Sequence, residues 1–254
     1  MSLLIDYTEL LARDPRPERQ IEPPARGTEL TNGSTAVYNR LGGLLTRLST
    51  EHAVEVAPML AIWVTQGGSR PPARRRANLR FEVQRYFNTW GRQNRQEFDS
   101  HFKFGGHSLQ PGQPWENQEY RGEVGSFAAV HHNQNSEYSA LTIARMLSGD
   151  EIALGSASAG GPLLGLAEHA ACGFDTASSM FEAFQQTEGV QVVALLGYLI
   201  THSAPKAGDL LRYLRDGDWE LFAKYYTGAD QVPMDGARLR AAYAAASTLV
   251  KSKR

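Results

Sequence analysis

Few side chains in this sequence are spaced for covalent or metal chemistry. Its seven histidines include no HExxH pair, the spacing that puts two imidazoles on one helix face over a zinc ion. His131 and His132 are adjacent, so their rings point apart. Cys172 is the single cysteine; it can form neither an internal disulfide nor a cysteine metal site, and its small neighbours predict a buried thiol. Ser156 and Ser158 lack the context of a nucleophile elbow. The glycines of AGGPLLG (159–165) are not followed by the Lys-Ser/Thr of a phosphate loop. No metal and no cofactor is expected. What remains is proton transfer by carboxylates; Glu82 is the one acidic residue between Arg70 and Arg95, a window with eight arginines. Glu51, Glu55 and Asp99 read as surface residues.

That arginine window includes RPPARRRANLR, with Arg74, Arg75, Arg76 and Arg80. It reads as a solvated basic loop or as an anion-binding surface for a wall polymer, an acidic protein partner or nucleic acid. With no aromatic residues interleaved in the run, sequence-specific nucleic-acid recognition is not expected.

The elements that must position these residues read as mostly helical. The chain has 254 residues, a net charge of −1, 42% hydrophobic and 21% charged residues, the profile of a globular domain large enough to bury its own core. No run approaches 18 apolar residues, so no membrane span is expected. The N-terminus has no basic-then-apolar leader, which predicts cytoplasmic synthesis and delivery to a wall by lysis, a holin or an injection machine. Residues 1–33, with DPRPERQIEPPARG, predict an extended arm, either a loose leader or a dock for an assembly partner. Residues 34–254 read as one domain. Helices are expected from Thr35, over about 54–66 with closure at Gly67 and Gly68, and over about 77–90 with Phe81, Tyr86, Phe87 and Trp90 as the apolar face. Residues 99–135 predict a long loop with a small hairpin. Helices resume with Ser136, Asp150 and Asp175 as N-caps. The run 190–202 is apolar nearly all round and predicts the central buried helix. Segments 209–215, 219–226 and 236–251 complete the set.

Seven of these segments, in order, resemble the N-acetylmuramidase family of phage lysins and bacterial wall hydrolases: NRLGGLL (39–45), WVTQGG (63–68), LRFEVQRYF (79–87), NRQEFDSHFKFGG (94–106), ALGSASAGGPLLG (153–165), SSMFEAFQQTEGVQVVALLGYL (178–199) and LRDGDWELFAKYYTG (214–228). The resemblance spans about residues 35–250. It implies a mainly α, lysozyme-like fold. It also implies cleavage of peptidoglycan between N-acetylmuramic acid and N-acetylglucosamine, and substrate contacts around Gly67, Gly68, Gly161, Leu163, Tyr226 and Thr227. Three positions depart from the family pattern. The glutamate that closes the helix before the paired small residues, the family's general acid, is Gln66 here. The cleft-lining glutamine of M-G-x-x-Q-I-M-G is Leu163. The asparagine of Y-N-G is Thr227.

Glycoside hydrolysis uses one carboxyl group to protonate the leaving oxygen and another to stabilise the oxocarbenium-like state or activate water. The acid needs a pKa raised by a half-apolar site. An amide has no proton to transfer at physiological pH, although it keeps the shape of glutamate and hydrogen-bonds a sugar equally well. Two readings follow. In one, the domain no longer hydrolyses and serves as a glycan-binding or structural part of an assembly such as a phage tail or contractile injection particle. In the other, it is an active muramidase with a shifted acid, for which Glu82 is the candidate; the bland role for Glu82 is a buried carboxylate that fastens the fold.

Overall fold

In this computed structural model, residues 8–69, 76–105, 117–202, 209–226 and 235–251 are described. After a short helix α1 (Thr8–Ala12), the chain runs along the long helix α2 (Glu29–His52). Thr28 caps α2, its hydroxyl accepting from the Thr31 amide at 3.2 Å. The helix therefore begins five residues earlier than the sequence break at 33/34 suggested, and Gly33 and Ser34 are already buried in it. Residues 15–21 are held against α2. Ile21 exchanges two hydrogen bonds of 2.8 Å with the Asn39 amide, and a Cβ on Gly43 would lie 2.1 Å from the Arg16 carbonyl.

Helix α3 (Val56–Thr65) packs between α2 and the last helix, α12 (Gly236–Lys251). Every residue of α3 from Val56 to Val64 is buried. This makes α3, rather than the 190–202 segment, the helix enclosed on all sides. The latter is α9 (Glu188–Thr201), where Val190, Val193 and Ile200 stay partly exposed. Helices α2 and α12 close around α3 because each presents it a stripe of leucine or alanine.

The expected helix over 77–90 is instead a strand, β1 (Leu79–Phe81), followed by one turn of helix, α4 (Val83–Tyr86), and a π-helical turn at Phe87–Gly91. Its apolar spacing fits a helix, but its backbone partners lie elsewhere. One edge of β1 pairs antiparallel with β5 (Ala157–Ala159), Leu79 opposite Ala159 and Phe81 opposite Ala157, and β5 pairs with β6 (Leu164–Gly165). The other edge is met by side chains. Gln134 takes the Leu79 N–H at 2.8 Å and donates to its carbonyl at 2.9 Å, Glu137 takes the Phe81 N–H at 2.8 Å, and Gln118 takes the Val83 N–H at 2.6 Å. These carboxamides and a carboxylate stand in for a fourth strand, which satisfies buried backbone groups that cannot be left bare.

The irregular stretch supplies α5 (Arg95–His101) and a second small antiparallel sheet, β2 (Phe102–Lys103), β3 (Glu119–Tyr120) and β4 (Ala128–Ala129). Helices α6 (Gln134–Ser148), α7 (Asp150–Gly155), α8 (Ala177–Gln186), α10 (Leu210–Asp216) and α11 (Trp219–Tyr226) complete the fold. The caps fall one to three residues from their expected places. Asn133 caps α6 through the Ser136 amide at 3.0 Å, Gly149 precedes α7, and Thr176 makes a capping box with Ser179 on α8. Among the described residues no helix is long and apolar enough to cross a membrane.

Candidate functional site

Gln66 closes α3. Its backbone has left the helical region (φ −89°, ψ 6°), while its N–H still donates to the Ile62 carbonyl at 3.1 Å. The side chain is half-buried, and no hydrogen bond engages its amide among the described residues. Gly67 follows at φ +91° with open space where a Cβ would stand. Glycine is needed there for the backbone angle, not for room. Gly68 turns back so that its N–H donates to the Trp63 carbonyl at 2.9 Å.

The turn that joins β5 to β6 meets this helix end. Gly160 (φ +86°) and Leu163 (φ +48°) bracket it, with the Leu163 N–H donating to the Gly160 carbonyl at 3.2 Å. Gly161 lies flat on the fully buried Trp63 ring: a Cβ on Gly161 would sit 2.1 Å from that ring, and one on Gly68 would sit 2.2 Å from it and 2.9 Å from the Gly161 Cα. Replacing Gly161 by alanine is therefore expected to force the turn off Trp63, costing about 1–3 kcal/mol. Thermal unfolding of Gly161→Ala tests this; an unchanged melting temperature would contradict the packing described.

Polar anchors missed by the sequence reading fix both turns. Arg40 on α2 donates to the carbonyls of Gly68 at 2.9 Å and Ser69 at 3.2 Å while its guanidinium pairs with Glu188, at the start of α9, at 3.0 and 3.1 Å. Asn78 donates to the Gly67 carbonyl at 3.3 Å and receives the Gly160 N–H at 2.9 Å. Gln191 receives the Gly161 N–H at 2.9 Å. Arg40 and Glu188 both fall inside the segments quoted above, but nothing in their spacing shows that they pair across 148 positions.

The expected substrate-binding residues divide accordingly. Gln66, Gly67 and Leu163 retain surface at the junction. Gly68 and Gly161 are buried packing positions. Tyr226 is only 4% exposed, and its hydroxyl donates to the Pro162 carbonyl at 2.9 Å; burial raises its phenol well above the ordinary range. It supports the turn from behind and offers nothing to a sugar. Thr227 lies outside the described residues.

Glu82 is 1% exposed. It accepts from Arg80 Nε at 2.5 Å, from Gln118 Nε2 at 3.0 Å and from Gln84 Nε2 at 3.1 Å. Burial by itself would raise its pKa; the Arg80 charge and the Gln118 hydrogen bond outweigh it, so the carboxyl is held below its ordinary value. A leaving-group acid needs the opposite shift. Glu82 therefore fastens the start of α4 to the 118 segment, and its burial and lowered pKa do not fit the shifted acid expected of it.

The anion-binding surface expected at the arginine window is also partly spent internally. Arg80 is neutralised by Glu82. Arg76 donates to Asn135 at 2.8 Å and lies 4.0 Å over the Tyr138 ring. Arg70, Arg74 and Arg75 lie outside the described residues.

Against this geometry, the chain matches the N-acetylmuramidase family model over residues 64–247, a span that starts at the α3 end and includes both turns. Its fold is similar to the crystal structure of a Burkholderia AP3 phage endolysin, with a TM-score of 0.54 and 17% sequence identity over 91% of this chain and 75% of that one. No curated protein matches significantly.

Proposed function

We propose a peptidoglycan-binding role with impaired hydrolysis for this chain, which belongs to the N-acetylmuramidase family. The supporting observation is the α3 end: an amide, Gln66, stands half-buried where the family resemblance places a proton donor, beside a turn that is otherwise tightly built. Glu82, the alternative donor, is sequestered and held ionised. The site keeps the means to hold a sugar. An amide both donates to and accepts from hydroxyl groups, and the Gly67 backbone is open to solvent.

In this role the domain would act as a wall-recognising part of a larger particle, such as a phage tail or contractile injection assembly, reached from cytoplasmic synthesis. The segment held along α2, with Arg47 donating to the Asp14 carbonyl and Asn39 paired with Ile21, favours an ordered start to the domain over a loose leader. Co-sedimentation with purified sacculi tests the binding half of the proposal. The protein is expected in the pellet, displaced by soluble glycan fragments, with no loss of turbidity. Protein left in the supernatant would reject it.

A further inference from the structure

A cavity lies on the face formed by the π-helical turn, α5 and β2. It measures about 560 Å³ and is lined by Phe87, Phe98, Phe102 and Phe104 with Arg92, Arg95 and Lys103, a size suited to a small ligand or a few residues of peptide. The four phenyl rings form one connected floor, with neighbouring centroids 5.1–6.1 Å apart. Phe98 and Phe102 are buried, whereas Phe87 and Phe104 keep part of their faces at the surface. The π-helical turn contributes by opening the helix at Phe87, a distortion that recurs at ligand sites. Around this floor stand three exposed cations. The Arg95 and Arg92 guanidinium groups lie 5.0 and 6.0 Å from the Phe87 ring centre, and Lys103, from the neighbouring strand, lines the cavity while its ammonium lies 3.8 Å over the Phe127 ring. The opposing carboxylate in the lining is Asp99, 3.1 Å from Arg95 Nε; that pair is solvated on both sides and contributes little.

A phenyl floor wants methyl or methylene groups, and a rim with two net positive charges wants carboxylates. From this pairing the geometry points to a site for the acidic stem peptide that peptidoglycan carries on its muramic acid residues. The partly exposed faces of Phe87 and Phe104 take the alanine methyls and the methylenes of the acidic residues, with the buried Phe98 and Phe102 backing them. Arg92, Arg95 and Lys103 take the free carboxylates. This inference rests on the wall-binding reading above and deepens it: recognition would use the peptide as well as the sugar.

The test titrates wild-type protein and the double variant Arg92→Gln, Lys103→Gln against four probes: a disaccharide-tetrapeptide muropeptide, the same disaccharide stripped of peptide, the free tetrapeptide, and an all-L peptide of the same charge. Both substitutions are at exposed side chains, and a circular dichroism melt confirms that the variant folds. The muropeptide is expected to bind wild type about tenfold more tightly than the bare disaccharide, and the double variant to lose that advantage while its affinity for the bare disaccharide is unchanged. Equal affinity for the two sugars overturns the assignment, as does an advantage that survives in the variant. An all-L peptide of the same charge that binds as tightly as the stem peptide also overturns it, by showing a site for protein tails. The two readings fail separately: binding of the free tetrapeptide that is lost in the variant, without any binding of the bare disaccharide, keeps the peptide site and removes the glycan site.

Discussion

Restoring the carboxyl group, Gln66→Glu, is expected to raise peptidoglycan hydrolysis by about 10²–10⁴-fold, the contribution of a positioned general acid. The backbone at position 66 already exits the helix, so a glutamate needs no rearrangement. Its environment also suits the task. The position is half-buried at the end of a helix that is apolar and buried from Val56 to Val64, so desolvation would raise the new carboxyl toward the range where it stays protonated near neutrality. Release of reducing ends from purified peptidoglycan measures the gain. Hydrolysis that stays at background in a folded Gln66→Glu protein would reject the amide as the cause of the impairment.

The second large effect concerns stability. Replacing Glu82 by alanine removes the acceptor for Arg80 Nε and for two buried carboxamides. Breaking a buried pair costs about 3–5 kcal/mol; Arg80 is 31% exposed and recovers some hydration, which favours the lower end. Denaturant unfolding should show this loss. The same carboxylate predicts a pH dependence. Its folded pKa lies below the ordinary 4.5, so its stabilisation is complete above that value and is lost as pH falls through the folded pKa. Glu82→Gln should therefore flatten the acid limb of the stability curve below about pH 4.5. In the Gln66→Glu background, Glu82→Gln should lower stability without abolishing hydrolysis at a temperature where the protein stays folded. Loss of hydrolysis in a folded double variant would return Glu82 to the chemistry.

The helical framework was legible in the sequence because it rests on local signals. The 3.6-residue apolar period marks α2, continuous apolar runs mark α3 and α9, and Gly67 marks the end of α3 through a backbone angle that only glycine takes without strain. The strand at Leu79–Phe81 was not legible. Its spacing of Phe81, Tyr86 and Phe87 fits a helix, and what makes it a strand is a partner 78 positions away and side chains from Gln134 and Glu137. Non-local hydrogen bonding overrode local propensity there. The same limit applied to the site. Gln66 was visible as a departure because it sits inside a local motif. Tyr226 looked like a ligand contact because a sequence carries no burial, and its hydroxyl is spent on the Pro162 carbonyl. Arg40 and Glu188, which hold the turn, were hidden by their separation along the chain.

One assay bears on the central claim most directly: mass spectrometry of soluble muropeptides released when wild-type protein is incubated with purified peptidoglycan, beside Gln66→Glu. Wild type is expected to release only background fragments, and the variant to release disaccharide-peptides ending in reducing N-acetylmuramic acid. Such fragments accumulating catalytically with the wild-type amide in place would contradict that claim.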